Sequence, residues 1–116
     1  MPSLALTLNS TLLVYQPKRF IVKSPEGSRD IMEEGNVQGS SDEYGFEITA
    51  VFGPWFEALQ ELRTRRGGLD EVRVQYTDPA SGAAIDRQML WEADPDFVVV
   101  ASWLTEDLSV TWRDLG

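Results

Sequence analysis

A mainly β (α+β) fold is predicted, an antiparallel β-sandwich or barrel of about seven strands with one flanking amphipathic helix, from three observations. Apolar and polar residues alternate with period two in several separate runs, the mark of half-buried strands. One stripe of 3.6-residue period lies between Pro54 and Gly67-Gly68, the mark of a short surface helix. The chain has 116 residues with four Trp, five Phe and three Tyr but no Cys. That is bulk enough for a single core spanning 1–116 without a disulfide staple.

Leu4, Leu6 and Leu8 alternate with Ala5 and Thr7 at the start of the chain, and Leu12 to Tyr15 continues as a second apolar stretch. Phe20, Ile21 and Val22 form a short strand after Pro17. Residues 24–42 carry Pro25, Gly27, Gly35 and Gly39 with few apolar side chains, and are expected to form a long acidic loop. Tyr44, Phe46, Ile48, Ala50 and Phe52 then alternate with Glu47 and Thr49.

A helix is expected over about 54–66, with Gly53 as N-cap and Pro54 at the first helical position, where its missing N–H costs nothing. Trp55, Ala58, Leu59 and Leu62 share its apolar face. Glu57 lies near the positive end of the dipole, and Arg63, Arg65 and Arg66 near the negative end. A buried Trp55 truncated to Ala would cost about 3–5 kcal/mol.

Four strands are then expected to run as an antiparallel meander over about 70–113. Val72, Val74 and Tyr76 alternate cleanly, as do Leu108, Val110 and Trp112. Ile85 to Trp91 is irregular, because Arg87 falls on the Ile85–Met89–Trp91 face. Phe97 to Trp103 is apolar on both faces and is expected to be a central strand. The segment Thr77-Asp78-Pro79-Ala80-Ser81-Gly82 has the composition of a hairpin loop.

The net charge of −9 is uneven. Between Glu26 and Glu47 lie Glu26, Asp30, Glu33, Glu34, Asp42, Glu43 and Glu47 against Arg29 alone. From Glu92 to Asp107 there are five acids and no base. Duplex binding needs a dominant basic field, so nucleic acid is not an expected partner. No apolar run approaches the ~20 residues that cross a bilayer, so no membrane is expected either. Met1–Asn9 lacks the basic lead of a signal peptide. The expected location is the cytoplasm, or the host cytoplasm or virus particle if the chain is phage-derived.

Absence of both Cys and His removes thiolate nucleophiles, zinc–thiolate sites and the usual general base. Carboxylate pairs remain. Glu33-Glu34, Asp42-Glu43, Asp94-x-Asp96 and Glu106-Asp107 could supply a glycosidase pair or cation ligands. Each falls in an expected turn, where acids are intrinsically favoured and solvated. Trp91, Trp103 and Trp112 could line a sugar groove, but Trp at strand positions is more commonly core or interface. Neither a Gly-x-x-x-x-Gly-Lys loop nor Gly-x-Gly-x-x-Gly is present.

The reading is therefore of a non-catalytic protein with no cofactor and no metal. It acts through self-association or docking, its partners being copies of itself or other assembly subunits, for example in a phage tail, connector or baseplate. Arg63, Arg65 and Arg66 at the helix end are the expected contact, meeting Glu33, Glu34, Asp42 and Glu43 of a neighbour. An acidic inhibitor or immunity protein that blocks a basic partner is the alternative. A small-ligand or carbohydrate binder is the second alternative.

Overall fold

Alternating side chains leave each strand with one wet face and one dry face, so the strands must wrap around the dry side. The computed structural model describes residues 4–24, 27–33, 36–37, 47–92, 99–100, 103–104 and 107–114. Its strands are β1 (Thr7–Leu8), β2 (Thr11–Leu12), β3 (Arg19–Ser24), β4 (Gly27–Glu33), β5 (Asn36–Val37) and β6 (Glu47–Phe52). The helix α1 (Phe56–Arg66) follows, then β7 (Glu71–Thr77), β8 (Ala84–Trp91), β9 (Val99–Val100), β10 (Trp103–Leu104) and β11 (Leu108–Asp114).

Nine strands form one antiparallel sheet in the order β2-β1-β7-β8-β11-β6-β3-β4-β5, while among the described residues β9 and β10 pair with each other as a separate two-stranded sheet. The inner face carries Phe20 and Val22 of β3, Ile48, Ala50 and Phe52 of β6, Val72, Val74 and Tyr76 of β7, and Leu108, Val110 and Trp112 of β11, all buried. β3 and β7 stand four places apart in the sheet. Flat, they would lie about 19 Å apart at the usual interstrand spacing. Yet the rings of Phe20 and Tyr76 are 4.8 Å apart, edge to face. The sheet therefore curls until its inner face meets itself, giving the mainly β wrapping that the alternation predicts.

A bulge explains a local departure from alternation. The β3–β4 register slips between Phe20 and Ile21, so that Phe20 faces Met32 while Ile21 faces Asp30. Ile31 is the extra residue, and Ile31 and Met32 are both buried. Elsewhere the turns follow their chemistry. Asn9 and Ser10, at φ 51° and 68°, make the two-residue connection from β1 to β2, the left-handed pair of a type I′ hairpin. Between β7 and β8, the buried Asp78 carboxylate accepts from Ala80 N–H (3.2 Å) and Ser81 Oγ–H (2.7 Å).

Several expectations need correction. The expected 24–42 loop contains β4 and β5, so Arg29, Asp30 and Glu33 lie on a strand rather than in a flap. The 70–113 segment is not a four-stranded meander, because β8 pairs directly with β11 and β9–β10 is a separate two-stranded sheet. Of the expected central strand at 97–103, only Val99, Val100 and Trp103 are described, and they lie in that two-stranded sheet. Tyr44 and Phe46 lie outside the described residues, as do Asp94, Asp96 and Glu106.

The helix begins at Phe56, with Trp55 in extended conformation (φ −101°, ψ 116°) as N-cap in place of Gly53. Trp55 is 40% exposed, and the buried stripe is Ala58, Leu59 and Leu62. The reason is steric: the Trp55 ring folds back over Gly53, where an added Cβ would sit 2.3 Å from it. At the other end, where Gly67-Gly68 bounds the stripe as the sequence predicts, Gly67 is left-handed (φ 58°) with its N–H on the Arg63 carbonyl.

Candidate protein-docking surface

At the helix end expected to be the contact, the Arg66 side chain is committed to the fold. The Arg66 guanidinium lies over the Trp91 ring, 5.7 Å from its centroid. It also donates to the Leu69 carbonyl (3.2 Å) and to Asp70 (3.3 Å). Arg65 is half-buried, and its carbonyl accepts from the Asn9 side-chain amide at 3.0 Å. Arg63 is the most outward of the three. Glu33 is exposed at the end of β4, opposite Arg19 in register. Its strand lies toward the end of the sheet opposite β1–β2, to which the helix is tied. Glu34, Asp42 and Glu43 lie outside the described residues.

A different surface is built near the helix N-terminus. Leu12 is 59% exposed and Val14 79%, with Tyr15 and Trp55 also exposed. The Tyr15 and Trp55 rings meet at 6.3 Å, tilted by 40°. Leu13, between the outward pair, is buried. Its N–H donates to the Leu6 carbonyl (3.0 Å), so the neighbouring Leu12 directs its main chain away from β1, at the outer edge of the sheet.

Two polar side chains hold this segment in place. The Glu61 carboxylate of α1 accepts from the N–H groups of both Val14 (2.8 Å) and Tyr15 (3.0 Å). The Gln16 carboxamide accepts from Leu6 N–H (2.7 Å) and donates to the Leu13 carbonyl (2.7 Å). Backbone N–H groups outside the sheet ladder bond to side chains or water, and Glu61 supplies two acceptors from the helix. The exposed apolar side chains are thus fixed on an ordered backbone.

The sequence carried a signal for this patch that the strand reading passed over. Leu12, Leu13, Val14 and Tyr15 are four consecutive apolar residues. At period two such a run must turn some of its members outward unless both faces are covered.

Other chemical features are structural. Among the described residues, no group of three or more acids and histidines is arranged to hold a metal ion. Carboxylates on the outer face pair with cations: Arg73–Asp86 at 2.6 Å, Arg87–Asp114 at 3.1 Å, Lys23–Glu47 at 3.6 Å, and Arg113 with Glu92. The hydrogen bond from Arg73 holds the Asp86 carboxyl below its ordinary pKa. Trp91 and Trp112 face each other across β8–β11 with rings 5.5 Å apart, part of the core as expected. A hollow of about 370 Å³ lies against the outer face of β1, β7 and β8, lined by Thr7, Gln75, Thr77 and Asp86 among others. It is open, and among the described residues no unpartnered buried polar atom belongs to its lining. No described helix is long and apolar enough to cross a membrane. No family model, curated protein or solved structure matches the chain.

Proposed function

We propose that this protein is a non-catalytic docking module that binds another protein surface through Leu12, Val14, Tyr15 and Trp55. One observation supports this above the rest: a 79%-exposed Val14 and a 59%-exposed Leu12 stand on a backbone pinned by Glu61. Leaving large apolar side chains in water forfeits roughly 1.5–3 kcal/mol each relative to burial. Grouped and braced, such side chains have the composition of an interface centre, where aromatic and aliphatic anchors dominate. Pre-ordering also lowers the entropic cost of association.

Site-specific photo-crosslinking in cells that naturally make the protein tests this reading. A photoreactive amino acid at Val14 should give a discrete crosslinked product, while the same group at Gln88, exposed on β8, should not. Equal crosslinking at both positions, or none at Val14, would overturn the assignment. The mass of the product distinguishes a second copy from a different protein.

A further inference from the structure

The docking patch has an electrostatic setting that selects among partners. Lys18, Arg19, Lys23, Arg66, Arg73, Arg87 and Arg113 each lie within salt-bridge distance of a different carboxylate of this same chain. Those seven pairs are internally neutral. Over the whole chain, acids exceed bases by nine. Two of these acids flank the patch. Glu57 is exposed in the first turn of α1, two residues from Trp55. The Glu61 carboxylate lies beside the backbone of Val14 and Tyr15.

Resting on the docking reading above, we infer that the occupant of this patch is a cationic partner protein, one that presents apolar side chains together with Lys or Arg, and not a second copy of this chain. Two copies would bring −9 against −9, with Glu57 and Glu61 of each near the other's patch. Like charges across an interface oppose association, and opposite charges steer it. A Lys or Arg entering beside Trp55 also gains an aromatic face as well as the Glu57 carboxylate.

The test uses three synthetic peptides of equal length as probes, followed by the amide resonances of Val14 and Tyr15 in the intact protein. The first alternates Leu and Trp with Lys, the second has Glu for each Lys, and the third has Ser for each apolar residue. The first should shift both resonances and bind tighter than either control by roughly tenfold or more, a gap that narrows with salt. The Leu12→Ser/Val14→Ser variant, with its charge unchanged, should lose that binding.

Equal binding of the first two peptides would overturn the cationic assignment and leave the docking reading intact. So would a concentration-dependent dimer of the free protein that the Ser variant abolishes. Undiminished binding by the Ser variant, or no shift at Val14 and Tyr15 with any probe, would overturn both.

Discussion

Replacing Glu61 by Ala removes the acceptor for two N–H groups while leaving the core residues Ala58, Leu59 and Leu62 in place. The bonds are short (2.8 and 3.0 Å) and charge-assisted, but they lie at exposed positions, where water can replace the lost acceptor. That places each near the low end of the range for an ordinary hydrogen bond, about 0.5–1 kcal/mol, and the pair at about 1–2 kcal/mol. Entropy of unfolding near 2.1 cal/mol/K per residue gives roughly 0.24 kcal/mol/K for a chain of 116 residues. Each kcal/mol then shifts Tm by about 4 °C, so Glu61→Ala should lower it by about 4–8 °C.

Calorimetry reads the Tm, and amide hydrogen exchange identifies where the loss arises. The Val14 and Tyr15 amides should lose protection in the variant, while amides in β6 and β11 should change only with global stability. Glu61→Gln retains a carbonyl acceptor and should recover part of the shift. If Glu61→Ala melts like the parent and the two amides exchange unchanged, the carboxylate does not brace the patch, and pre-ordering ceases to support docking.

Three other outcomes follow from the structure. Trp112→Ala empties a fully buried position and should cost about 3–5 kcal/mol, whereas Trp55→Ala, 40% exposed, should cost well under half as much; equal losses in chemical denaturation would contradict the assigned burial. Ser10 is left-handed at φ 68°, so Ser10→Gly should stabilise by about 0.5–1 kcal/mol after allowing for the freer unfolded chain, and a lowered denaturation midpoint would argue against the I′ turn. Asp86 is held below its ordinary pKa by Arg73, so its ion pair stabilises above the unfolded carboxylate value and is lost as pH falls through the folded one. Both groups are exposed, so Asp86→Asn should slightly flatten the acid limb of stability against pH in low salt and do nothing in high salt; a difference that persists in high salt would contradict that picture.

The strand faces were legible because alternation is a local property. Ile48-Ala50-Phe52, Val72-Val74-Tyr76 and Leu108-Val110-Trp112 all point inward as their spacing requires. The Asp78 hairpin loop and the Gly67 cap were legible for the same reason, each being decided within a few residues. What failed depended on pairing. Gly27–Glu33 has sparse apolar residues and reads as loop, yet β3 supplies its ladder and a bulge turns both Ile31 and Met32 inward. Polar composition does not prevent a strand when a neighbour offers the hydrogen bonds.

The docking patch illustrates the same limit more sharply. Helical spacing places Trp55 one turn before Leu59, so it reads as the start of the buried stripe. Whether that turn is helical depends on Gly53, which alone leaves room for the indole to fold back. Glu61 looks like any solvated helix acid until the chain from β2 passes beside it, placing the Val14 and Tyr15 amides within 3.0 Å of its carboxylate. The exposure of Val14 and the position of Glu61 are therefore one structural fact. The carboxylate satisfies backbone N–H groups just beyond β2, while the apolar side chains of Leu12 and Val14 face outward. A partner that buries Val14 thus need not break that clamp, because it covers side chains whose backbone is already satisfied.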